Sequence, residues 1–186
     1  MNPAGALVFI LGYLFDIYIM IVLARFLLQI VRADFYNPIS QFIVKATTPI
    51  LKPLRRIIPG FGGIDVASIV LMLALVLIKM IVIILIYNGT LAGLSPLDLG
   101  ITVIKSAANT LLNFYMFSIF ISILMSWIAQ GSYNPLVALL HQITEPVMAP
   151  ARKILPPMGG LDLSPMIILV LISTIKVLFG LGQGPF

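Results

Sequence analysis

The sequence contains no cysteine, and only one histidine and one tryptophan among its 186 residues. Without a thiol there can be no disulfide, no thiolate nucleophile and no Cys-ligated zinc or iron–sulfur centre. No glycine-rich phosphate loop precedes a helix, and no metal-ligand cluster is written into the chain. The lone His141 does not complete a nucleophile–His–acid set. Catalytic residues, a cofactor and a metal are therefore not expected. Charge is scarce as well: Asp, Glu, Lys and Arg make up 9% of the residues, against about 25% in a typical soluble domain. So few charges cannot cover a water-facing surface, and much of the solvent must be lipid.

What is present is apolar. Hydrophobic residues make up 61% of the chain, and the mean hydropathy is +1.16. A helix needs about 20 mostly apolar residues to cross about 30 Å of hydrocarbon, and four windows qualify. They are Ala6–Val31, Val66–Ile86, Ala107–Ala129 and Leu163–Leu181. In lipid such runs must be helical, because only a helix satisfies its own backbone groups there. The expected fold class is an all-α integral membrane protein with four transmembrane helices. The opening "MNPAGA" has no basic residue ahead of the first apolar run, so that run is expected to be retained as a span and not cleaved as a signal. Lipidation motifs are not expected either.

The chain also repeats itself. "YNPISQFIVKATTPILKPLRRIIPGFGGID", Tyr36 to Asp65, returns 97 residues later as "YNPLVALLHQITEPVMAPARKILPPMGGLD", Tyr133 to Asp162; twelve of thirty positions are identical without a gap. Lys79 lands on Lys176 under the same shift. This is an internal duplication, each copy being span, connector, span. The organisation expected is a first repeat over residues 1–88, an outer-face linker over 89–106 and a second repeat over 107–186. Two spans per copy make the repeats parallel.

Lys and Arg set the orientation. The connectors, residues 32–64 and 130–162, carry seven: Arg32, Lys45, Lys52, Arg55, Arg56, Arg152 and Lys153. The segments on the other side carry only Lys105. The positive-inside bias puts the connectors in the cytoplasm and both termini outside.

Within each connector, Asn37-Pro38 and Asn134-Pro135 are helix starts, an Asn cap before proline at the first helical position. Ile39, Phe42, Ile43 and Ala46, and likewise Leu136, Leu139, Leu140 and Ile143, follow helical spacing. Two amphipathic helices of about eleven residues are expected, ended by the prolines at 49 and 53 and at 146 and 150. An interfacial position fits them, as does a re-entrant loop. The pairs Arg55-Arg56 and Arg152-Lys153 suit anionic head groups. Gly62-Gly63 and Gly159-Gly160 permit a sharp turn, and Asp65 and Asp162 are placed to cap the next span. The same residues would be needed by a purely architectural connector. Trp127 and Tyr133 read as interface anchors, His141 as an exposed interfacial side chain. Ser95-Pro96 with Asp98 reads as a further helix start.

Inside the spans stand Asp16, Lys79, Asn113 and Lys176. Counting residues puts Asp16 and Lys79 about 12–15 Å from the outer ends of their spans, within reach of each other if the spans are antiparallel neighbours. The shift maps Asp16 onto Asn113, so the second copy keeps the lysine and loses the carboxylate. Three readings fit: a polar centre on an ion or proton path, interhelical glue, and snorkelling lysines. Arg25, near the inner end of its span, reads as snorkelling too.

The doubled "YNP…T-x-P…P-x-R-R/K-I-I/L-P…GG-x-D" pattern resembles the YggT family of small bacterial membrane proteins, relatives of YlmG and of plastid homologues. "ISILMSWIAQG" ahead of the second copy is similar to the proteobacterial members. The resemblance covers both repeats. It implies a two-repeat inner-membrane protein without catalytic residues, connected with osmotic tolerance and potassium homeostasis in proteobacteria. Elsewhere it implies links to cell division, nucleoid organisation and, in plastids, cytochrome assembly.

Three functions follow as expectations. The first is a non-catalytic membrane protein supporting osmotic-stress tolerance and ion homeostasis. The second is a scaffold or assembly factor whose basic connectors hold anionic lipid or a division or assembly partner. The third is an oligomeric transporter or channel. The expected partners are the bilayer with its anionic head groups and a membrane protein or a second copy of the chain. Nucleic acid is not among them.

Overall fold

The computed structural model describes residues 3–128, 134–154 and 162–182. Within them the chain forms six helices: α1 (Pro3–Ile30), α2 (Pro38–Ile57), α3 (Val66–Asn88), α4 (Pro96–Ile128), α5 (Pro135–Ile154) and α6 (Ser164–Leu178). Three of these, α1, α3 and α4, are long and apolar enough to cross a membrane. Their 28, 23 and 33 residues correspond to about 42, 35 and 50 Å of helix. The fourth apolar helix, α6, has 15 residues, or about 22 Å. α4 begins at Pro96 with Asp98 in its first turn, and the Leu99 amide donates to the Ser95 carbonyl at 3.0 Å.

Chain packing divides the molecule into two compact units, Met1–Phe26 with Ile43–Ala108, and Leu27–Phe42 with Asn109–Phe186. In the first, the core gathers Val22 of α1, Leu51 of α2, and Ala67 and Leu71 of α3, with Leu54 and Leu75 packed against them. In the second, Ile119 of α4, Met148 and Ala151 of α5, and Ile168 and Ile172 of α6 are buried together. Adding 97 to Val22, Leu51, Leu54, Leu71 and Leu75 yields Ile119, Met148, Ala151, Ile168 and Ile172. These five positions serve both cores, and each stays apolar though side-chain volume differs, which is what close packing tolerates; buried Ala67 is the exception, its counterpart being the buried Ser164.

The connector helices differ from the sequence expectation. α2 and α5 each run for 20 residues, with Pro49 and Pro53, and Pro146 and Pro150, inside them. A proline in a helix interior removes one hydrogen bond and costs about 3 kcal/mol. Spacing explains why the helices continue. Prolines four residues apart share one face, and all four are exposed. The carbonyls they leave without a donor in α2, of Lys45 and Pro49, belong to exposed residues and remain open to solvation. The opposite arc of α2 buries Ile43, Thr47 and Leu51. In the turn before Pro49, the Thr47 hydroxyl donates to the Ile43 carbonyl at 2.7 Å and the Thr48 hydroxyl to the Val44 carbonyl at 2.5 Å.

Candidate functional site: polar pins and arginine clasps

Two sets of polar contacts occur in both units. The first lies among the apolar helices. Lys79 Nζ on α3 donates to Asp16 Oδ1 on α1 at 2.6 Å. Ninety-seven residues on, Lys176 Nζ on α6 donates to Asn113 Oδ1 on α4 at 2.5 Å. Each contact ties two neighbouring helices at one height. The chemistry differs: carboxylate and ammonium cancel their charges, whereas an amide oxygen supplies only a dipole and leaves the ammonium's charge in place.

The second set lies where connector meets span. The Arg55 guanidinium grips Asp65 through both carboxylate oxygens: Nε donates to Oδ1 at 3.3 Å, and Nη2 pairs with Oδ2. The Ser68 hydroxyl donates to the same Oδ2 at 2.5 Å. Asp65 is 4% exposed. Burial pushes its carboxyl up, but the hydrogen bonds from Arg55 and Ser68 and the guanidinium's charge outweigh that and hold it below the usual carboxylate range. The counterpart, Arg152, donates from Nε to Asp162 Oδ2 at 2.9 Å and from Nη1 to Glu145 Oε2 at 2.5 Å. Asp162 Oδ1 in turn accepts the Ser164 amide at 2.9 Å. Burial again raises the Asp162 carboxyl, and the contacts to Ser164 and Arg152 bring it down below the usual range.

These clasps change how several sequence-selected residues are read. Asp65 occupies the N-cap position of α3 without a well-formed side-chain cap; its carboxylate is held mainly by the Arg55 guanidinium and the Ser68 hydroxyl. Arg55 and Arg152, expected from the sequence to face lipid or a partner, pair with intramolecular carboxylates. Arg56 and Lys153 are exposed. A signal for the clasp was available: Arg and Asp recur ten residues apart in both copies, among the twelve identical positions.

The helix starts are built alike. Asn37 Oδ1 accepts the Ile39 amide and Asn134 Oδ1 the Leu136 amide, each at 2.9 Å, with Pro38 and Pro135 at the first helical position. The Asn37 side-chain amide also donates to the Pro135 carbonyl at 2.7 Å, a contact between the two connector starts that no local pattern announces. Gly62 and Gly63 have φ of +59° and +83°. With the Phe61 and Ile64 backbones bonded to each other at 2.9 and 3.1 Å, they form the two-residue turn that needs left-handed backbone at both positions. Gly159, Gly160, Tyr133 and the Trp127 side chain lie outside the described residues.

His141 is exposed, 3.6 Å from Glu145. Among the described residues no group of three or more His, Cys, Asp or Glu is placed to hold a metal. A groove of about 550 Å³ runs along α6, lined by Leu169, Val170, Ser173, Thr174, Val177 and Leu178.

Comparison with known proteins bears on the repeat as well as on kinship. A family described as CCB3/YggT matches the chain twice, over residues 4–86 and 101–183. An uncharacterised protein of Pseudomonas aeruginosa is 49% identical over 93% of this chain and 87% of its own length. One from the proC 3′ region of Vibrio alginolyticus is 44% identical over 95% of both chains. The Escherichia coli K12 protein YggT, also named as uncharacterised, is 38% identical over 93% of this chain and 88% of its own. No solved structure matches. On a family match that covers nearly the whole chain in two copies, the protein belongs to the CCB3/YggT family.

Proposed function

We propose that this chain is a non-catalytic, four-span protein of the bacterial inner membrane, built as two parallel repeats with cytoplasmic connectors and both termini outside. In this reading it supports osmotic-stress tolerance and ion homeostasis by acting on its surroundings at the inner face, without itself conducting an ion. Support for the topology comes from three apolar helices of spanning length, a fourth that is shorter, and the seven-to-one distribution of Lys and Arg. The osmotic role rests on the family resemblance.

One observation carries the non-conducting reading. Each intramembrane lysine is tied to a polar side chain on a neighbouring helix, Lys79 to Asp16 and Lys176 to Asn113, so both act as pins that hold helix pairs in register. The groove on α6 is lined by other residues.

Complementation of a deletion strain under high-salt, low-potassium stress, at matched membrane levels, tests this. The Lys79→Met/Lys176→Met variant is expected to restore growth. A variant stripped of the exposed connector cations is expected to fail. The opposite pattern would make the lysines part of an ion path and sink the proposal.

A further inference from the structure

The two connector helices share a framework but not a charge. At 100° per residue, the exposed residues of α2 form two adjacent arcs. Lys45, Lys52 and Arg56 lie within about 40° of one another, all exposed. Beside them runs an exposed apolar arc of Pro49, Ile50, Pro53 and Ile57, with Ile50 44% and Ile57 79% exposed. The buried arc of Ile43, Thr47 and Leu51 completes the circle.

In α5 most of the apolar arc is kept: Pro146 and Pro150 are exposed, and Ile154, the counterpart of Ile57, is likewise 79% exposed, while Val147, the counterpart of Ile50, is partly buried against the core. The cations are not kept. Gln142 stands for Lys45, Ala149 for Lys52, and only Lys153 remains, for Arg56. Arg152 is held by Glu145 and Asp162. Residues 38–57 carry four cations and no acid, whereas residues 135–154 carry two cations and Glu145. A connector of this form therefore does not need the cationic arc to fold. Cations beside an exposed aliphatic arc, with no acid between them, complement a surface of anionic head groups over acyl chains.

We propose that α2, and not α5, is the binding surface for anionic phospholipid. Lys45, Lys52 and Arg56 take the head-group phosphates, and Ile50 and Ile57 enter the acyl region. This rests on the reading of the connectors as lying at the membrane surface.

The test uses full-length protein in phosphatidylcholine bilayers, with trace spin-labelled phosphatidylglycerol or phosphatidylcholine as probes. The motionally restricted fraction gives the preference of the protein for each lipid. The native chain is expected to prefer phosphatidylglycerol by about threefold or more, and about 0.5 M NaCl should erase most of that preference. Lys45→Gln/Lys52→Ala/Arg56→Gln should abolish it, while Lys153→Gln should leave it intact. No preference in the native chain would overturn the proposal, leaving the cations only to orient the chain. So would a preference that survives the triple substitution, or one lost equally with Lys153→Gln. Because the chain has no cysteine, Gln41→Cys, at an exposed polar position of α2 outside the apolar arc, reports the topology separately. Labelling by a membrane-impermeant maleimide is expected only in inverted vesicles. Labelling from the periplasmic side would overturn the topology proposed above, whatever the lipid preference.

Discussion

Lys176 Nζ lies 2.5 Å from Asn113 Oδ1, each 97 residues on from Lys79 and Asp16, which lie 2.6 Å apart. Matching positions thus make two chemically distinct contacts. The first is a neutral ion pair; the second keeps a full positive charge against an amide.

That difference predicts opposite effects for two reciprocal substitutions. Asp16→Asn should lower the thermal midpoint of the detergent-solubilised protein, with a loss of about 1 kcal/mol. Asn113→Asp should raise it or leave it unchanged, because Lys176 then gains a counter-charge. Equal and opposite shifts are not required. A fall with Asn113→Asp would show that the second site needs its net charge.

The arginine clasps should differ in strength. Asp65 is buried, so removing Arg55 strands a carboxylate with little water around it. Arg55→Gln is expected to cost about 2 kcal/mol, with a coupling energy to Asp65→Asn of more than about 1 kcal/mol in a double-mutant cycle. Arg152 and Asp162 are each about one-third exposed, and their coupling should stay under about 1 kcal/mol. A denaturant titration of the four variants in each cycle measures both.

Acid should weaken the protein through the same groups. The folded-state carboxyl of Asp65 is held below its unfolded value of about 3.9. Its contribution is therefore complete above about pH 4 and is lost as pH falls through the folded value. Asp162 acts in the same direction. The pH dependence of the unfolding midpoint between about pH 5 and pH 2 should be shallower in Asp65→Asn than in the native chain.

The Gly62-Gly63 turn gives a backbone test. A Cβ on Gly63 would meet nothing within 4 Å, so Gly63→Ala pays only for its φ of +83°, about 1–2 kcal/mol. Gly63→Asn should cost less, because Asn tolerates left-handed backbone. Thermal midpoints of the two variants, compared with Gly100→Ala in the interior of α4, separate conformational strain from a general effect of substitution.

Much of the helical layout was legible in the sequence because its signals are local. Long apolar runs, Asn-Pro starts, a Gly-Gly turn and Ser95-Pro96 each act through a few neighbouring residues, and the helices begin where those residues stand. The duplication was legible too, since it is a property of the letters alone, and it extends to paired core positions such as Val22 and Ile119. Other features were not legible. Pro49 and Pro53 read as the end of a helix, but their local cost is outweighed because both rings face outward while Ile43, Thr47 and Leu51 bury the other side. Arg55 read as a cation suited to anionic head groups; its recurrence ten residues ahead of an Asp in both copies hinted at a partner, but only folding α2 back against the start of α3 brings Asp65 within reach. The contact of Asn37 with the Pro135 carbonyl spans 98 residues. Side-chain identity and local backbone preference thus determined which positions are apolar and where helices start. Which charges remain available on the surface was decided by tertiary packing, because an ion pair depends on distance in space and not on distance along the chain.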